Sequence, residues 1–75
     1  MGEPLTKTQN ERLWYLNDTW GRFPGWAMSS RRGAKWDAHR RALIKDGSLE
    51  VSPDGSMCRI TEKGQSALIE WIPYA

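Results

Sequence analysis

A chain of 75 residues makes one domain, and its small size leaves little room for a deep catalytic cleft. With 39% hydrophobic and 27% charged residues it is too apolar for wholesale disorder, and its single cysteine, Cys58, excludes an internal disulfide and a cysteine-rich zinc site. Net charge is +2, yet residues 22–45 set Arg22, Arg31, Arg32, Lys35, Arg40, Arg41 and Lys45 against Asp37 alone, a local +6 between ends of −1 and −3 that marks a candidate anion-binding centre.

The first element is "LTKTQNERLWYLNDTWG". Thr6 with Gln9 three residues later is a capping box, with Thr8 and Glu11 as a second register. Leu13, Leu16 and Trp20 then recur on one side of a helix, flanked by Trp14 and Tyr15, and Gly21 supplies a stop. Ahead of this helix, Gly2 and Thr6 match the pattern for N-terminal myristoylation, which is too short to carry weight. "MGEPLTK" lacks the apolar stretch of a signal peptide, and no run approaches the roughly 18 to 20 apolar residues of a membrane span. A cytoplasmic location is therefore expected, with no membrane association.

Phe23, Pro24 and Gly25 break the helix, after which "WAMSSRR" reads as a short helix ended by Gly33, with an irregular connection as the alternative. "AKWDAHRRALIKDG" is a second clear helix. Trp36, Arg40 and Leu43 form its inward stripe with His39 and Ile44 at the margins, while Ala34, Ala38, Arg41 and Lys45 lie opposite. Arg40 falls on the inward side, so its stem is expected to pack while its head reaches solvent or an acidic partner. "SLEVSPDGSMCRI" alternates on both sides of a Pro53-Asp54-Gly55 turn, predicting a hairpin with Leu49, Val51, Cys58 and Ile60 inward and Glu50 and Arg59 outward. "TEKGQSALIEWI" closes the chain as a helix capped by Thr61, with Gly64, Leu68 and Trp71 or Ile72 inward and Pro73 as its end. Residues 1–5 and 73–75 are expected to be flexible ends.

The order helix, short segment, helix, hairpin, helix, together with "ALIKDGSLEV" followed by "RITEKGQSAL", resembles the winged helix-turn-helix family, and within it the MarR- and PadR-type repressors. In that family a helix ends L-x-x-x-G-L-[IV], a hairpin wing follows, and the second wing strand runs into a T-x-x-G helix start. Leu43, Gly47, Leu49 and Val51 take the first part with Ser48 as one extra residue, and Ile60, Thr61 and Gly64 take the second. The resemblance covers roughly residues 30 to 70. It implies an α+β fold of three helices with a two-stranded wing between a recognition-type helix and the last helix, and it implies a small DNA-binding regulator of bacterial or phage type.

The basic centre fits that role. A helix over about 31–45 would carry Arg31, Arg32, Lys35, Arg41 and Lys45 to phosphates and base edges of double-stranded DNA, with arginine able to fork onto guanine. A homodimer through the terminal helices would add contacts that one small domain lacks. A competing expectation is a protein-binding module or phage-type inhibitor, because the hairpin tip carries Asp54, which repels phosphate, and because Trp26 and Tyr74 lie off the inward stripes as candidate interface anchors. Neither catalysis, metal nor cofactor is expected: His39 and Cys58 are the only candidate reactive groups, and nothing in their spacing supplies an orienting third residue.

Overall fold

A computed structural model describes residues 6–22, 25–29 and 31–71. The expectations for Gly2, Phe23, Pro24, Ile72, Pro73 and Tyr74, and for the flexible ends, lie outside these residues. The described chain is α+β: α1 (Lys7–Leu16), α2 (Ala34–Lys45), a hairpin of β1 (Leu49–Val51) and β2 (Cys58–Ile60), and α3 (Glu62–Glu70).

The capping box starts α1 as its sequence predicts. The Gln9 amide donates to Thr6 Oγ1 at 3.1 Å and the Thr6 amide donates to Gln9 Oε1 at 3.0 Å, so two free donors are satisfied reciprocally. Beyond Leu16 the helix widens into a π-helical turn, Asn17–Gly21, and ends at the predicted glycine. The inward face is therefore Tyr15, Leu16, Thr19 and Trp20, with Leu13 only partly buried. Tyr15 is a correction to the expected stripe: it is not a flank but a fully buried core residue, packed edge-on against Trp20 at 5.2 Å between centroids.

The segment after the break is also a correction. Instead of a short helix, Gly25–Ser29 is not helical, and Ala27 makes an antiparallel bridge to Cys58, its N–H and C=O each bonded at 2.9 Å. Trp20 supplies the reason, since its indole N–H donates to the Ala27 carbonyl at 3.2 Å and draws the segment onto the hairpin. Backbone groups that a one-turn helix would leave half paired are satisfied by β2 and an indole.

On α2, Leu43 is buried as predicted, and Ile44 and Trp36 pack partly against the core. His39, expected at the margin, is instead buried, with its Nε2 at 3.0 Å from Glu11 of α1. Arg40 behaves as its position on the wheel implies: half-buried, with its head 2.7 Å from Asp37. Gly47, at φ +88°, turns the chain out of α2 in a conformation that only glycine adopts freely, and Ser48 N–H then bonds the Asp46 carboxylate at 2.9 Å.

The hairpin pairs Leu49 with Ile60, Glu50 with Arg59 and Val51 with Cys58. Leu49, Cys58 and Ile60 are buried, but Val51, the last residue of β1 before the tip, is exposed. Glu50 and Arg59 form a cross-strand ion pair on the other face. At the tip, Asp54 accepts from the Ser52 hydroxyl at 2.6 Å and from the Ser56 amide and hydroxyl at 3.1 and 2.8 Å. These donors, Ser52 first, hold the Asp54 carboxyl down at about 2. Its unfolded value is near 3.8, so its contribution to stability is complete above that value and is lost as pH falls toward 2. Asp54→Asn is accordingly expected to lower the urea midpoint at neutral pH, with the gap to the parent protein closing as pH falls through this window.

Thr61 caps α3 through the Gly64 amide at 3.1 Å, and Gly64 seats the first turn against Ser48. Leu68 packs partly on the core, and Trp71 is buried with its indole N–H donating to Asn10 Oδ1 at 2.9 Å. No helix of the described residues is long and apolar enough to cross a membrane.

Candidate nucleic-acid interface

Helix α2 starts at Ala34, not at residue 31. Gly33, its N-cap, has φ +117°, so Arg31 and Arg32 belong to a non-helical lead-in rather than to the helix. From there the pattern holds: Ala34, Lys35, Ala38, Arg41 and Lys45 are all exposed, spaced so that they share one face of α2.

The five predicted cations have different surroundings. Arg41 is 77% exposed and pairs with Asp37 at 3.0 Å, one turn back. Lys35, 59% exposed, reaches Glu11 of α1 at 2.9 Å and lies 5.0 Å over the Trp36 ring. Arg31 is 36% exposed and turned toward α1, 3.2 Å from Asp18 and stacked over Trp14 and Trp36 at 4.6 and 5.2 Å. Among the described residues no carboxylate comes within ion-pair distance of Arg32 or Lys45, which are both exposed. Arg41, Lys45 and Lys35 thus occupy the open face, Arg32 stands at its entrance, and Arg31 serves mainly to bind the lead-in to α1.

Two carboxylates organise this surface. Asp37 holds Arg40 and Arg41, and the Arg40 hydrogen bond above all keeps its carboxyl below the usual range. Glu11 is lowered first by its bond to His39 and then by Lys35. Sequence reasoning missed Glu11 and Asp18 as partners, since each pairs with α2 or its lead-in across the fold, where no helical spacing signals the contact.

Between the start of α2 and the hairpin tip lies a cleft of about 530 Å³, lined among others by Met28, Arg32, Arg40 and Ser56. Arg32 lines it together with Gly55 and Ser56 of the hairpin tip, and Asp54, the neighbour of Gly55, is ionised at neutral pH. Trp26, the candidate interface anchor, is 40% exposed on the hairpin's outer side, with the Arg59 guanidinium 4.4 Å over its ring. Met28 and Met57 are exposed as well, at 60% and 38%. Trp20, by contrast, is wholly buried.

Among the described residues no three His, Cys, Asp or Glu side chains gather as metal ligands. Comparison with family models, with curated proteins and with solved structures finds no match.

Proposed function

We propose that the chain is a small winged-helix domain that binds double-stranded DNA through the exposed face of α2 and acts as a transcriptional regulator in the cytoplasm. The observation that carries this reading is the face itself, on which Ala34 and Ala38 stand bare while Lys35, Arg41 and Lys45 flank them. A 12-residue helix is about 18 Å long, and alanines let its backbone descend into a major groove about 12 Å wide.

Arg41 is the residue for a base edge. An exposed pair such as Arg41 with Asp37 is screened by solvent and contributes little, so it is readily exchanged for a guanine fork. Arg32 and Lys45, without carboxylate partners among the described residues, suit phosphates at the two ends of the helix. The ionised Asp54 argues that the hairpin tip stays off the DNA backbone, so the helix supplies most of the contact. A homodimer reading two half-sites a helical turn apart would compensate for so small a footprint.

The test is titration of labelled duplex at several salt concentrations. Affinity is expected to fall steeply with salt, Lys45→Ala to reduce the log–log slope by about 0.9, and Arg41→Ala to cost about 1 to 3 kcal/mol on a preferred sequence. Absence of binding at low salt would overturn the proposal. A protein-binding role is favoured by one observation, the exposure of the large apolar side chains Trp26, Met28 and Met57. In that reading Trp26→Ala abolishes capture of a protein partner and leaves duplex affinity unchanged.

A further inference from the structure

Three of the five tryptophans meet at one depression. Trp14 of α1, Trp36 of α2 and Trp71, just after α3, line a cleft of about 360 Å³, within the size range of pockets that hold a single small ligand. Trp14 and Trp36 are only partly buried, although the same core hides Trp20 completely. Their ring centroids lie 6.1 Å apart with planes tilted by 42°, and the Arg31 guanidinium lies over both rings, a cation that a stacked base would share or displace.

The rim is cationic. Lys7 and Lys35 line the cleft, both exposed, and Arg31 stacks on Trp14 beside it, while Glu11 is the one carboxylate in the lining among the described residues. Asn10 also lines it; its Oδ1 is taken by the Trp71 indole, which leaves the amide hydrogens for an acceptor. Indole faces, an amide donor and two exposed ammonium groups, that of Lys35 shared with Glu11, suit a ligand that joins a flat ring with acceptors to an anionic group. A nucleotide has this chemistry. In a duplex the ring faces are already stacked, so the ligand is one whose bases are unpaired.

We propose that this cleft binds single-stranded nucleic acid, with a base against the Trp14 and Trp36 rings, its edge on Asn10 and the flanking phosphates on Lys7 and Lys35. Base stacking on aromatic side chains tolerates any sequence, and the positive rim complements the strand's charge. Lys35 belongs both to this cleft and to the exposed face of α2, so the two surfaces adjoin, but the inference does not require that α2 bind a duplex. An acidic polypeptide shares the charge and lacks the ring.

The experiment follows intrinsic tryptophan fluorescence at low salt during titration with an unstructured single-stranded DNA octamer, with a blunt duplex, and with polyglutamate of matched charge. The octamer is expected to quench emission and bind. Trp14→Leu should weaken it about tenfold or more, and Lys7→Gln should lower its log–log salt slope by about 0.7 while leaving duplex affinity as it was. No octamer binding, equal quenching by polyglutamate, or full octamer affinity in Trp14→Leu would overturn the proposal. If Trp14→Leu fails to fold by circular dichroism, Lys7→Gln decides, and an unchanged octamer slope refutes it. Loss of duplex binding in Arg41→Ala with octamer binding intact would bear on the α2 face alone.

Discussion

Trp20→Ala is expected to destabilise the domain by about 3 to 5 kcal/mol, the usual cost of truncating a buried large aromatic. Its side chain has no exposure, packs edge-on against Tyr15 and ties the Ala27 strand segment to the core through its indole N–H. A domain of 75 residues has a total stability of roughly 4 to 11 kcal/mol, so the variant stands close to unfolding at room temperature. Trp20→Phe separates the contributions. It keeps the aromatic packing and loses the hydrogen bond, but the Ala27 carbonyl still accepts from Cys58 N–H at 2.9 Å. The phenylalanine variant should therefore lose only about 1 to 2 kcal/mol, and urea midpoints of the two variants check the difference. Equal losses would mean that the indole N–H matters more than the buried area.

What could be read from the sequence follows from the range of the interactions involved. Thr6 with Gln9 and Thr61 with Gly64 are contacts between residues three apart, and both caps form as read. Gly47 and the Pro53-Asp54-Gly55 turn act locally too, and the hairpin closes with Leu49, Cys58 and Ile60 inward. The errors lie where distant partners decide. The segment around Ala27 has no strand pattern of its own; it is extended because Cys58 and Trp20 offer its backbone partners. The helical wheel sets Tyr15 and His39 at helix margins, yet both are buried, Tyr15 just before the π-helical turn and His39 against the Glu11 carboxylate across the fold.

The same distinction separates the candidate site residues. Exposure of Arg41 and Lys45 follows from helical periodicity alone, so their face was legible. The fate of Arg31 was not, because the groups that hold it, Asp18, Trp14 and Trp36, come from α1, its π-helical extension and α2. Nor does periodicity tell that Trp14, Trp36 and Trp71, each on or beside an inward stripe of its own helix, would line one cleft. Their convergence is a property of how α1, α2 and the end of α3 pack.

Gly64→Ala sets local preference directly against tertiary packing. Within an isolated helix the change would stabilise by about 1 kcal/mol. In the folded chain, a Cβ at this position would come 2.4 Å from the Ser48 carbonyl oxygen and 2.8 Å from Ile60 Cγ1. The first is backbone and cannot swing away, and that same oxygen accepts the Thr61 N–H at 3.0 Å, the bond that joins the end of β2 to the start of β1. Relieving the overlap requires α3 to lift from the hairpin, weakening this bond and the packing of buried Leu49 and Ile60. Overpacking of this kind costs about 1 to 3 kcal/mol, and the strained hydrogen bond adds about 1 more. The steric cost exceeds the propensity gain, so a net loss of about 1 to 3 kcal/mol is expected, which at this size corresponds to a fall of very roughly 5 to 20 °C in Tm. Ser66→Ala, at an exposed position on the same helix, serves as the control and should change stability by no more than about 0.5 kcal/mol. A Gly64→Ala protein that melts at or above the parent temperature would show that α3 can move off Ser48 without cost, and the tight seat of the last helix on the hairpin would then not be what selects glycine there.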